Sequence, residues 1–260
     1  MNIVEKEMWS ELKRLAIAEA DGEAPLSALM HDRVIDHPGY AEALSHLIAA
    51  SLASLIFDVD AMSDLTSEII TAHPDIATSS MYDLKAACER DPACENPLIP
   101  FLYYKGFKGL QGYRIAHALW NAGRTGLARF LQSRITEVFA LDIHPAAVVG
   151  RGVFIDHATG IVVGQTSVVE DDVSMLQSVT LGGTGKETGD RHPKIRRGVM
   201  LGAGAKILGN IEVGEGAKVA AGSVVTKPVP PHTTVAGVPA KPIGRPASDV
   251  PAYDMNQDLD

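Results

Sequence analysis

Two short polar stretches interrupt an aliphatic pattern in the second half of this 260-residue chain, and they hold the side chains best suited to chemistry. One is Ile155-Asp156-His157-Ala158-Thr159-Gly160-Ile161-Val162. The other, GTGKETGDRHPKIRRG, runs from Gly183 to Gly198. An imidazole such as that of His157 exchanges a proton near neutral pH. A guanidinium such as that of Arg191 can hold a carboxylate through two parallel hydrogen bonds. No P-loop or GxGxxG pattern offers a rival site for phosphates.

What must position these residues is a repeat. Aliphatic side chains stand at Ile143, Val149 and Ile155, then after an eight-residue step at Val163, Val169, Met175 and Leu181; the count resumes at Leu201, Ile207, Val213, Val219 and Val225, six residues apart. Small or β-branched residues follow four positions behind, as at Ala147, Val153, Val173, Ala205 and Ala217. An α-helix cannot keep a period of six in phase, whereas a solenoid with one short strand and one corner per hexad can. Three hexads make one turn, which predicts a parallel β-helix with the aliphatic residues pointing into a narrow triangular interior. Insertions are tolerated where they loop away from that interior, so both interruptions are expected at the active site.

The first half differs. A cut near residue 141 leaves 12 of the 14 aromatic residues before it and 17 of the 24 glycines after it. Helical spacing recurs at Trp9, Leu12, Leu15 and Ala16, and at Leu44, Leu47, Ile48, Leu52 and Leu55 behind Pro38 and Gly39. Ser63 or Asp64 can cap a third helix ending before Pro74, Asp75 can start a fourth, and two more flank Gly123. The chain thus reads as α+β: an α-helical bundle over 1–141, a β-helix over 142–245 and a flexible tail over 246–260.

The segments DIHPAAVVGRG, DHATGIVVGQT, SVTLGGTGKETGDRHPKI, LGAGAKILGNIEVGEGAKVAAGSVV and VPPHTTVAGVPAK resemble bacterial serine O-acetyltransferases, as do RDPA at 90–93 and YKGFKGLQGYRIAH at 104–117. The resemblance implies a left-handed β-helix and transfer of the acetyl group of acetyl-CoA to the hydroxyl of L-serine, the step that feeds cysteine synthesis. It implies His157 as general base oriented by Asp142, with Asp91 and Asp156 facing the serine ammonium and Arg191 and His192 facing its carboxylate. For the co-substrate it implies a groove between subunits, with Gly183, Ala203, Ala221 and Gly222 beside the pantetheine arm and Lys218 and Lys241 near the phosphates. A homotrimer or a hexamer of two trimers, inhibition by L-cysteine, and a complex with O-acetylserine sulfhydrylase also belong to the family. That last partner usually receives a terminal isoleucine, and this chain ends Asn256-Gln257-Asp258-Leu259-Asp260.

Composition narrows the alternatives. Twenty-three basic against 32 acidic residues, a net charge of −9, argue against a nucleic-acid partner. The longest nearly apolar run, Leu47 to Phe57, is too short to span a bilayer, so a cytoplasmic protein is expected. Cys88 and Cys94 are too few for a disulfide framework or a zinc knuckle, and no metal is expected. Two other enzymes remain conceivable on such a scaffold: an acetyltransferase for another hydroxyl acceptor, and a gamma-type carbonic anhydrase with His144, His157 and His192 on zinc.

Overall fold

The computed structural model describes residues 3–185 and 187–259; Lys186, inside the glycine-rich interruption, and Asp260, at the end of the tail, lie outside them. Helices α1 (Ile3–Gly22) and α2 (Ala24–Met30) lead through a π-helical turn to α3 (Tyr40–Leu52), α4 (Val59–Ala72), α5 (Asp75–Arg90), α6 (Leu98–Tyr103), α7 (Lys105–Asn121) and α8 (Thr125–Phe139). The expected stripes are the buried ones, with Trp9, Leu12, Ala16, Leu44, Leu47, Ile48 and Leu52 inside. Two local expectations change. Leu55 is fully exposed, because α3 stops at Leu52 and Ser54 starts a turn whose N–H donates to Phe57 O at 2.7 Å. The cap of α4 is Asp58, ahead of Ser63 and Asp64; its carboxylate accepts the Ala61 N–H at 2.9 Å and satisfies a donor the helix leaves open.

From Leu141 onward the chain winds as a three-faced parallel solenoid. Its first face carries β1 (Leu141–Ile143), β4 (Ile161–Val163), β7 (Thr180–Gly182), β10 (Lys206–Leu208) and β13 (Val224–Val225). The second carries β2 (Val148–Val149), β5 (Val168–Val169), β8 (Lys194–Ile195) and β11 (Glu212–Val213). The third carries β3 (Phe154–Ile155), β6 (Ser174–Met175), β9 (Met200–Leu201), β12 (Lys218–Val219) and β14 (Thr234–Gly237), closed by antiparallel β15 (Ala240–Gly244). The aliphatic residues of the repeat stack in register: Ile143, Val163, Leu181, Ile207 and Val225 form one column, and Ile155, Met175, Leu201, Val219 and Val235 another. The second interruption is shorter than the sequence suggests. Ile195 completes a column between Val169 and Val213, so the excursion ends at Pro193. Three outward basic neighbours disguised it: Lys194, Arg196 and Arg197 pair with Asp190, Glu170 and Asp172.

The bundle and the solenoid share a buried polar joint. Asp83 accepts from Arg114 Nη2 (2.7 Å), Gln111 Nε2 (3.0 Å) and the backbone N–H of Val153 (2.9 Å), and Arg114 Nη2 also donates to Gly150 O (2.6 Å). Removing one partner of such a buried pair typically costs about 3–5 kcal/mol, because the other charge is left without compensation. The stretch read as a flexible tail lies along the third face instead. Its helical turn α9 (Pro251–Asp254) buries Pro251 and Ala252, and Ala252 O accepts the hydroxyl of Ser174 at 2.8 Å. No helix among the described residues is long and apolar enough to cross a membrane.

Candidate active site

His157 stands where the third face turns into the first. The eight-residue step between β3 and β4 forms a bulge in which His157 and Ala158 both take left-handed backbone angles, φ 56° and 58°, at roughly 1–3 kcal/mol each. The bulge plants the Ala158 methyl in the core and throws the imidazole outward, its side chain 71% exposed. Two tight bonds hold it, Ala158 N–H to Asp156 O and Thr159 N–H to His157 O, both 2.7 Å. The Thr159 hydroxyl donates to His157 O at 3.3 Å and itself accepts from Lys105 Nζ.

The helical domain supplies the opposite wall. Arg90, at the end of α5, donates to Ser174 Oγ at 3.0 Å and so docks the helix on the solenoid. Asp91 follows at once; its carboxylate accepts the Ala93 N–H (2.8 Å) and the Tyr104 hydroxyl (2.7 Å). Gly106, in the first turn of α7, touches the backbone of Ile155 so closely that a Cβ there would lie 2.1 Å from the carbonyl oxygen. Asp91, Tyr104, Lys105, Asp156, His157 and Thr159 thereby line one open cleft of about 400 Å³. Burial raises the Asp156 carboxyl above its ordinary pKa; nearby His157 opposes the shift and Asp91 adds to it. His157 Nε2 lies 3.7 Å from Asp156 Oδ2. Two carboxylates beside an exposed imidazole suit an ammonium-bearing molecule whose neighbouring hydroxyl must lose a proton.

Arg191 and His192 are elsewhere, on the edge between the first and second faces. A Cβ at Gly164 would lie 2.1 Å from His192 Cδ2 and Nε2, so glycine alone leaves room for the ring. From Thr159 to Gly164 the chain crosses the first face in five residue steps, about 16 Å at ~3.3 Å per residue. One chain therefore brings His157, Asp156 and Asp91 together and keeps Arg191 and His192 apart from them. Arg191 is steadied by Gln165 Oε1 (3.2 Å) and Gly189 O (3.1 Å), and Gly183 packs at its side. Asp142 points out from β1, and its carboxylate takes an N–H from Gln132 at 2.7 Å; among the described residues of one chain no ion pair joins it to His157. Ala203, Ala221 and Gly222 continue the edge that carries His157, as the bonds Ser178 N–H to Thr159 O, Gly204 N–H to Gln177 O and Gly222 N–H to Ala203 O show. Lys241 lies on β15, while Lys218 is buried beneath the tail and donates to Asp258 O. Tyr104, Lys105, Gln165 and Thr166 were not singled out in the sequence, although they stand in the segments YKGF and GIVVGQT; Gly164 was expected only as a corner glycine.

Comparison with known proteins gives the family and agrees with the fold. A family profile described as "Serine acetyltransferase, N-terminal" matches residues 8–112, and one described as "Bacterial transferase hexapeptide (six repeats)" matches residues 192–227. The serine acetyltransferase of Salmonella typhimurium is 56% identical over 250 residues, 96% of this chain and 92% of that one. The crystal structure of the Vibrio cholerae enzyme superposes with a TM-score of 0.97 at 52% identity, covering 98% of this chain and 99% of that one. Similar structures are described as a serine acetyltransferase complex with cysteine (TM-score 0.96, 49% identity, 98% and 99% covered), a Brucella abortus enzyme with coenzyme A (0.91, 47%, 92% and 96%) and a soybean enzyme with serine (0.91, 46%, 94% and 100%). With 56% identity over 96% of its length and the same fold from bundle to solenoid, the chain belongs to the serine acetyltransferase family and is an acyltransferase.

Proposed function

We propose that the protein moves the acetyl group of acetyl-CoA to the hydroxyl of L-serine, with His157 as the base. The observation that carries this reading is the single cleft in which His157, Asp156 and Asp91 meet at the foot of an edge lined by Ala203, Ala221 and Gly222. His157 takes the hydroxyl proton as the serine oxygen attacks the thioester carbonyl. The tetrahedral adduct collapses with cleavage of the C–S bond, and the imidazolium returns the proton to the departing thiolate, giving O-acetylserine and CoA. Asp91 and Asp156 hold the ammonium. Asp142 is the carboxylate proposed to orient His157.

The substrate carboxylate needs Arg191 and His192, which in one chain lie across the first face from His157. An adjoining copy that laid its first-to-second edge against the cleft would complete the site, which is the reason to propose a trimer or a pair of trimers. The small residues above His157 let the pantetheine arm approach backbone, and Gly183 and Lys241 border the same groove from the joined copies. Lys218 reaches the phosphates once the tail over it moves. L-Cysteine carries the same ammonium and carboxylate as serine, so it should occupy the same cleft and inhibit, as end-product control of cysteine synthesis would require. The test is thiol release from acetyl-CoA across a panel of amino acids and other hydroxyl acceptors. Serine should give rapid release; faster release with a sugar or antibiotic would replace the acceptor in this reading.

A further inference from the structure

The His192 imidazole is more closely specified than a side chain that merely lines a pocket. It is 7% exposed and clasped by one short segment, Gly164-Gln165-Thr166. The Thr166 hydroxyl oxygen accepts the backbone N–H of Arg191 (3.0 Å) and that of His192 (3.1 Å). With both acceptor positions filled, its own hydrogen is left to donate; His192 Nδ1 lies 2.9 Å away, and the Asp190 carboxylate is the other acceptor beside it. The backbone N–H of Thr166 points at the same nitrogen from 3.2 Å. A ring nitrogen facing two donors carries no proton, so a neutral ring must hold its hydrogen on Nε2. Nε2 has no partner among the described residues and is not sealed inside, which leaves that N–H free for a ligand.

We propose that Thr166 is a positioning residue that locks His192 as the neutral Nε2–H tautomer, so that His192 serves as an uncharged hydrogen-bond donor to an anionic oxygen of the substrate and not as a second base. This deepens the functional reading given above and rests on it for the identity of the ligand. The surroundings agree. Burial lowers the His192 pKa, and Arg191, Lys194 and His144 lower it further against the opposing charge of Asp190. Protonating Nδ1 would also turn its hydrogen toward that of the Thr166 backbone. A neutral donor costs less to bury than a cation and still strengthens its bond as negative charge gathers on the acceptor.

The experiment is nitrogen-detected NMR of ¹⁵N-histidine-labelled protein, with His192 assigned by loss of its signals in His192→Gln. In the wild type, Nδ1 should show the shift of an unprotonated nitrogen and Nε2 that of an N–H from about pH 5.5 to 8.5. Thr166→Val should mix the tautomers, add a histidine ionisation to the acid side of the rate profile, and lower kcat/KM for serine by about tenfold to a hundredfold. Thr166→Ser should restore the wild-type tautomer and profile. A proton on Nδ1 in the wild type, or wild-type tautomer and profile in a folded Thr166→Val, would overturn the proposal. The wild-type shifts need no substitution at Thr166, so a Thr166→Val chain that failed to fold would leave the test standing. Absence of acetyl transfer to serine in the wild type would instead refute the functional reading while the nitrogen assignment stood.

Discussion

Replacing Gly106 by alanine tests whether the bundle positions the chemistry or only accompanies it. The added Cβ would sit 2.1 Å from Ile155 O, whereas real Cβ contacts almost never fall below 3.0 Å, so α7 must lift from β3 by about 1 Å. The obstacle is backbone, and no rotamer change relieves it. Overpacking of this kind costs about 1–3 kcal/mol, a fall in Tm of roughly 3–10 °C for a chain of this size. The same displacement moves Tyr104 and Asp91 relative to Asp156 and His157, and a misplacement of about 1 Å can cost around 10²-fold in rate. Two other glycines calibrate the result. A Cβ at Gly109 meets Leu141 Cδ2, the end of a side chain and not backbone, at 2.7 Å, with Phe139 at ordinary contact distance beside it; a Cβ at Gly126 meets nothing within 4 Å. Gly109→Ala should therefore stay within about 1 kcal/mol of wild type, and Gly126→Ala should gain about 0.5–1 kcal/mol, since alanine suits a helix better. Thermal unfolding and kcat/KM from thiol release, measured on all three, give the comparison. Wild-type rate and Tm in Gly106→Ala, or equal losses in all three variants, would refute the idea that this contact sets the geometry of the cleft.

Other outcomes follow from the same cleft. His157→Ala should lower kcat by roughly 10²- to 10⁴-fold with the fold intact by circular dichroism, and Asp142→Asn should do less harm, since it disturbs orientation without deleting the base. If Asp156 holds the serine ammonium as its anion, its raised carboxyl should add a step to the acid side of kcat/KM for serine at a pH above the ordinary carboxylate range, and Asp156→Asn should remove that step while leaving the fall due to the base, as a pH–rate series can check. For stability the sign is opposite: a raised carboxyl contributes least at high pH, so Asp156→Asn should stabilise the fold near neutrality, as denaturant titration can check. Arg191→Lys should raise KM for serine far more than for acetyl-CoA, because an ammonium cannot reproduce two parallel bonds. L-Cysteine should compete with serine in initial-rate kinetics, and calorimetry should find its binding weakened in Arg191→Ala.

The solenoid was legible because each inward residue belongs to a column with one spacing, and any six-residue count finds it. The count failed at Ile195, where three outward basic side chains hide a single inward aliphatic one. That failure has a larger consequence. Once an insertion of unknown length breaks the phase, the sequence no longer says on which edge Arg191 and His192 resume, so their separation from His157 could not be counted. Leu55 misled for a different reason: its spacing fits α3, but the Ser54 turn ends the helix first. The tail looked flexible because it is polar, yet Pro251 and Ala252 bury against the third face and α5. Apolar periodicity survives in sequence because it is local; which polar groups meet depends on docking between elements far apart, as Asp83 with Val153 illustrates.

The bulge gives a physical reason for placing His157, the base of the proposed reaction, on strained backbone. At the corresponding corners of later turns stand Gln177, Ala203 and Ala221, on steps of regular length, and the last two keep the floor of the edge low. A histidine set into such a regular corner would share that floor with whatever chain lay along it. The two additional residues let Ala158 take over the packing of the core while His157 rises beside the cleft, its backbone held through Thr159 by Lys105 of the helical domain. Two left-handed residues cost about 2–6 kcal/mol together, a large share of the net stability of an ordinary domain. Such a conformation persists only where its surroundings overdetermine it, and here the determinants come from both halves of the chain. Gly106 against Ile155 fixes the entry to the bulge, Lys105 its crown, and the Asp83–Arg114 joint the distance between bundle and solenoid. The bundle therefore adds a second hold to the bonds within the solenoid, such as Asp156 N–H to Met175 O and Gly160 N–H to Ala140 O: α7 pressed on β3 helps to set the height of the imidazole beside Asp91.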